Sequence, residues 1–161
     1  MGFTKSTVSL VLLVVLMSVA FWLVVFPPRA PRIFLNHRHA VQNIKNLSSA
    51  ERDFAAKHPN IGFACNLSDL AEQGLESPPD ARSVDPVLAS GTKSWYHFEI
   101  QCAQGLGETV GRYTITAAPV IPGRTGKFVF CTDQSGEIWQ SQSGLISDCL
   151  TTRKPVEPDS R

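Results

Sequence analysis

Cys65, Cys102, Cys131 and Cys149 are the side chains of this chain best suited to covalent chemistry, and their spacing decides which kind. No two of them form a CxxC pair, and none stands beside a histidine at metal-ligand spacing. Thiol exchange and zinc binding both lack their arrangement. An even number of cysteines spread over a polar region points instead to two disulfides made in an oxidising compartment. Four cysteines allow three pairings. Cys131 with Cys149 would close a C-terminal loop and stabilise it by about 3 kcal/mol on the chain-entropy estimate. That choice leaves Cys65 with Cys102, joining the segment after the main helix to the first strand.

The histidines offer less. In His37-Arg38-His39 the two imidazoles leave a helix on different sides with an arginine between them, so the stretch reads as solvated and not as a metal site. His97 falls on the outer face of a predicted strand, and His58 beside Pro59 suits the carbonyl end of a helix. Gly105-Leu106-Gly107 and Gly123-Arg124-Thr125-Gly126 each join strands and precede no helix that would aim amides at an anion, so they read as turns and not phosphate cradles. Trp95, Tyr96, Phe98, Tyr113, Phe128, Phe130 and Trp139 read as core and cross-strand packing, with an aromatic ligand groove as the alternative. No catalytic residue, metal site or cofactor is expected, and the chain does not read as an enzyme. Fifteen Lys plus Arg against fourteen Asp plus Glu provide no broad field for nucleic acid, which is not expected as a partner.

The elements that carry these residues begin with an apolar run bounded by Thr7 and Phe26, free of charge and ended by Pro27-Pro28-Arg29. At about 1.5 Å per residue it spans about 30 Å, the hydrocarbon thickness of a bilayer. Lys5 and Ser18-Val19-Ala20 also permit a cleaved signal peptide, but cleavage after Ala20 would leave Phe21 to Phe26 as a greasy new terminus. An uncleaved or minimally trimmed anchor is therefore expected, with the lipid bilayer as a partner. Arg29, Arg32 and Arg38 after the run would favour a cytoplasmic domain by the positive-inside bias. The cysteines argue for the opposite side, and they carry more weight because a signal-like anchor exports the domain on its C-terminal side.

Over residues 36–58 Ala40, Val41, Ile44, Leu47, Ala50, Phe54 and Ala55 recur every three or four positions, with Lys45, Glu51, Arg52, Asp53 and Lys57 largely between them. This spacing predicts an amphipathic helix that His58-Pro59 ends. Residues 68–73 read as one or two helical turns closed by Gly74, residues 76–86 as a surface loop, and residues 87–90 as a brief turn. From residue 94 the period becomes two. Tyr96, Phe98, Ile100 and Cys102 share one face of a strand, and Tyr113, Ile115 and Ala117 share one side of a second. Residues 127–132 form a third strand, a turn at residues 133–136 follows, and residues 137–140 start a fourth. The fold class expected is α+β: an N-terminal transmembrane helix, then an amphipathic helix packed on a small antiparallel meander. The expected domains are a membrane anchor over 1–28, an extracytoplasmic domain over 29–151, and a disordered tail over 152–161.

This order of anchor, amphipathic helix, antiparallel sheet and C-terminal cysteine loop resembles type IV pilins and pseudopilins. Residues 40–51 with Phe54-Ala55, and the segments 85–94, 113–119 and 132–138, look most like acidobacterial pilin-like proteins. The resemblance covers residues 40–149. It implies a pilin-like fold, a prepilin-like processing site between Gly2 and Phe3, and other pilin-like subunits or envelope proteins as partners. It also implies a single-pass protein of the bacterial inner membrane, with its C-terminal domain in the periplasm or outside the cell. Where the family carries an acid that assists assembly, five residues into the processed chain, this sequence has Thr7. Two functions stay open: a structural or protein-interaction role, as in a pilus or pseudopilus subunit, and a tethered binding or sensing domain that does not assemble.

Overall fold

The computed structural model describes residues 5–25, 29–72, 84–104 and 109–156. The chain divides into two compact units, residues 1–32 and residues 33–161. The first holds α1 (Lys5–Val25), a helix of 21 residues whose described side chains run over residues 11–22. Among the described residues no helix is long and apolar enough to cross a membrane. The transmembrane helix expected over 7–26 is therefore not found among the described residues, and Phe26 lies outside them.

The second unit is α+β. Most of α2 (Arg29–Lys57) lies in it, followed by α3 (Leu67–Glu72), α4 (Pro86–Ala89), β1 (Thr92–Lys93), β2 (Tyr96–Gln104), β3 (Val110–Pro119), β4 (Val129–Asp133), β5 (Ile138–Ser141) and α5 (Ile146–Thr152). The five strands pair in chain order, each antiparallel to the next. The predicted helix is present, and His58 ends it by donating its backbone N–H to the Phe54 carbonyl at 2.9 Å. Ala40, Ile44, Leu47 and Phe54 of α2 pack on Tyr96, Phe98, Tyr113, Ile115, Ala117 and Phe130 of the sheet. Period-two alternation therefore put the right residues inward, and period 3.6 did the same for the helix.

Three elements differ from expectation. β1 is only two residues long, too short for alternation to reveal, and it pairs Thr92 with His97 and Lys93 with Tyr96. α5 covers the other face of the sheet, where Val129, Cys131, Trp139 and Cys149 form a second buried cluster flanked by Ile146 and Leu150. Its N-cap is Leu145, with no capping side chain, so the usual polar start signal is missing. Residues 153–156, read as part of a disordered tail, instead run beside β5: Gln140 N–H donates to the Lys154 carbonyl at 2.8 Å and Val156 N–H to the Ile138 carbonyl at 3.2 Å. Pro155 sits opposite Trp139 at this edge, where a missing N–H costs the ladder nothing. Residues 157–161 lie outside the described residues.

Ser94 and Trp95 turn β1 into β2 with both φ values positive, at 52° and 65°. A left-handed conformation costs an L-residue about 1–2 kcal/mol, and asparagine and glycine normally fill such two-residue hairpin turns. Trp95→Gly is expected to raise stability by up to about 1 kcal/mol, the relief of strain being partly offset by greater freedom of the unfolded chain. Urea melts of the variant and the parent chain check it, and a lower midpoint would show that the indole itself holds the turn.

Candidate functional site

Two of the buried polar side chains of the second unit, Ser48 and Glu51, lie where α2, β3 and the segment after α2 meet. Ser48 and Glu51 are both buried on α2, although Glu51 was expected among the solvated positions. Their surroundings depend on a short parallel bridge between Gly62 and Val110, in which Val110 N–H donates to the Ile61 carbonyl and Phe63 N–H to the Val110 carbonyl. Gly62 has φ of 84°, and a Cβ there would strike the Val110 carbonyl oxygen, so the bridge requires glycine. The bridge lays residues 61–64 beside α2. Phe63 then meets the Tyr113 ring edge to face at 4.8 Å, and Ala64 N–H donates to Glu51 Oε2 at 2.9 Å.

The other Glu51 oxygen, Oε1, is buried without a hydrogen-bond partner, as is Asn43 Nδ2 further along α2. Burial pushes the Glu51 carboxyl up from 4.5 to about 7; the Ala64 N–H opposes this and the Asp69 charge adds to it. Ser48 Oγ lies 3.1 Å from Tyr113 Oη and accepts from Arg52 Nη1 at 3.1 Å. Burial also raises the Tyr113 phenol, with the Ser48 hydrogen bond opposing it. Chemically this cluster can hold a proton on Glu51 near neutral pH. Its serine is engaged by Tyr113 and Arg52, however, and the free carboxylate oxygen is closed off from solvent, so a substrate would have no approach to either.

The sequence-selected residues fall elsewhere. Cys65 is joined to Cys102 with Cα atoms 5.6 Å apart, and Cys131 to Cys149 at 6.1 Å, the pairing expected from the sequence. Gly2, Phe3 and Phe26 lie outside the described residues, while Thr7 lies within α1 with its side chain outside them. Gly105, Leu106 and Gly107 are also outside them. Among the described residues no three or more His, Cys, Asp and Glu side chains gather to hold a metal ion.

His37 is not the solvated residue its neighbours suggest. It is half-buried, its ring lies 5.2 Å from Phe128, 5.8 Å from Phe130 and 6.2 Å from Tyr96, and its Nε2 accepts from Lys127 N–H at 2.9 Å. Asn36 Nδ2 likewise donates to the Thr125 carbonyl at 2.8 Å. Together they fasten the β3–β4 connection to the start of the domain's helix. Gly126 belongs to this fastening, since a Cβ there would strike Tyr96 Oη, which itself donates to the Phe128 carbonyl. His37→Ala is expected to cost about 1–2 kcal/mol, the sum of one hydrogen bond and the ring contacts, read from urea melts at neutral pH. An unchanged midpoint would show that the connection holds without it. His39 is exposed, and His97, also exposed, has Nδ1 3.3 Å from Thr92 Oγ1.

No family model matches the chain, and no curated protein or solved structure matches it either. The residues themselves therefore carry the functional reading.

Sequence reasoning missed Glu51, Ser48 and Tyr113 as a group. One signal was present: Ala40, Ile44, Leu47, Glu51 and Phe54 follow the alternating four- and three-residue steps of a single helix stripe. A carboxylate on the apolar stripe is the mark of a buried one.

Proposed function

We propose that the protein is a single-pass, membrane-anchored, pilin-like protein of the bacterial inner membrane whose disulfide-stapled domain lies in the periplasm or outside the cell and makes protein contacts. The observation that carries the reading is the surface of α1. Its large apolar side chains over residues 11–22 are between 52% and 70% exposed. A continuous apolar surface of that kind needs a non-aqueous neighbour, and a bilayer is the neighbour that a run of this length suits. The sequence run continues past the described side chains at both ends, from Thr7 to Phe26. Both cysteine pairs support an oxidising compartment for the domain. An α+β unit with a long helix on an antiparallel meander agrees with the pilin-like resemblance at the level of architecture, and architecture alone does not assign assembly.

Thr7, in place of an acid, favours a second reading in which the anchor tethers the domain without polymerising. The N-terminal mass of the membrane-extracted protein tests both. A chain beginning at Met1 or Phe3 and released only by detergent supports the anchor, whereas a chain beginning at Phe21 overturns it. Recovery of the protein in sheared filaments separates the assembling subunit from the tethered monomer.

A further inference from the structure

The hairpin tip at Trp95 and the connection after β3 share one end of the sheet, because Val120 N–H donates to the Trp95 carbonyl at 3.0 Å. That same connection is fastened to Asn36 and His37, so the start of the domain's helix lies at this end too. Trp95, Val120, Ile121, Phe34 and Leu35 are each between 42% and 60% exposed there. Cations accompany them: Arg38, Arg124 and Lys127 are exposed, and Arg38 sits 5.9 Å from the centre of the Phe34 ring. The segments that build this end, residues 29–50, 86–98 and 109–132, contain no aspartate or glutamate at all, in a chain whose net charge is only +1. Glu99, the acid closest in sequence to the hairpin turn, stands four residues further along β2 opposite Thr116 and accepts from Gln101 Nε2 at 3.2 Å, and Asp85 is held by Lys93 at 2.6 Å.

An apolar tip with an indole, accompanied by exposed cations, has the chemistry of the bilayer interface: aromatic rings favour the headgroup level, and Lys and Arg are drawn to an anionic surface. We propose that this end of the domain is a docking surface for anionic phospholipid headgroups, with Trp95 inserted among them. The inference rests on the membrane-anchor reading. Chain length permits it, since Asn36 follows Phe26 by ten residues and lies only seven residues, about 10 Å of helical rise, from the start of α2 at Arg29. It also gives a role to Arg38, which by topology bias alone would argue for a cytoplasmic domain.

Tryptophan quenching in the full chain separates the two claims. The Trp22→Phe/Trp139→Phe variant leaves Trp95 as the sole indole, and Trp95→Phe/Trp139→Phe leaves Trp22 in the anchor. Each is reconstituted into phosphatidylcholine vesicles with or without phosphatidylglycerol, carrying bromine near the headgroup or near the chain end. Trp95 emission is expected to be blue-shifted by transfer out of water and quenched by the shallow bromines, both more strongly with phosphatidylglycerol, and Trp22 emission to be quenched by bromine within the hydrocarbon. Trp22 quenched with Trp95 unaffected overturns the docking surface and leaves the anchor standing. Equal Trp95 quenching on the two lipid mixtures overturns headgroup recognition, and quenching of neither indole removes the anchor and the docking surface together. If Trp139→Phe does not fold, the difference between Trp22→Phe and Trp22→Phe/Trp95→Phe gives the same readout, because Trp139 is only 4% exposed. Arg124→Glu/Lys127→Glu is expected to abolish the phosphatidylglycerol dependence without changing the quenching of Trp22; retention of that dependence overturns the role of these cations.

Discussion

Stability is expected to fall by about 3 kcal/mol as pH rises from 4.5 to 7, through Glu51 alone. Below 4.5 the carboxyl is protonated in the folded and unfolded chains alike and contributes no pH dependence. Between the two values the unfolded chain has released its proton while the folded chain retains it, so each step upward in pH favours unfolding. Above about 7 both states are ionised, and the folded state carries a buried carboxylate with one oxygen lacking a partner. Glu51→Gln keeps an oxygen for the Ala64 N–H and removes the proton equilibrium. The variant should therefore show a flat profile across this window and exceed the parent chain in stability at its upper end. Urea melts at both ends of the window measure this. A parent chain equally stable at pH 4.5 and 7 would mean that Glu51 ionises without cost and that its burial has been misread.

The fold was legible wherever a periodic pattern ran long enough to be counted. Tyr96, Phe98, Ile100 and Cys102 alternate with His97, Glu99 and Gln101, and burial follows the same alternation. α5 and β1 were hidden because seven and two residues hold too few repeats, and because α5 starts without a polar cap. The Glu51 cluster was hidden for another reason. Charge in a helix is read as solvent-facing, yet here exposure was decided by a distant segment: the Gly62 to Val110 bridge brings residues 61–64 over the carboxylate. His37 failed in the same way, since its aromatic neighbours come from β2, β4 and the connection leading into β4. Local pattern reports which face of an element is apolar; it does not report what a remote loop will cover.

Cys65→Ser/Cys102→Ser is expected to cost about 4 kcal/mol, slightly more than the about 3 kcal/mol for Cys131→Ser/Cys149→Ser, because the closed loops separate residues by 37 and 18 positions. The difference is small because loop entropy grows only with the logarithm of length. The first bridge also lies next to Ala64, whose N–H binds Glu51, so its loss has two separable consequences. Freedom returned to the unfolded chain lowers stability equally at every pH. Loosening of residues 61–64 would instead admit water to Glu51 and shrink the pH dependence between 4.5 and 7. The hydrogen bonds of Ile61 and Phe63 to Val110 hold this segment without help from the disulfide, at 2.9 Å and 3.2 Å. The expected profile of the variant is therefore the parent curve displaced downward by a constant amount. Urea melts across the window decide: a profile flattened as in Glu51→Gln would show that the disulfide, and not the Val110 bridge, keeps water from the carboxylate.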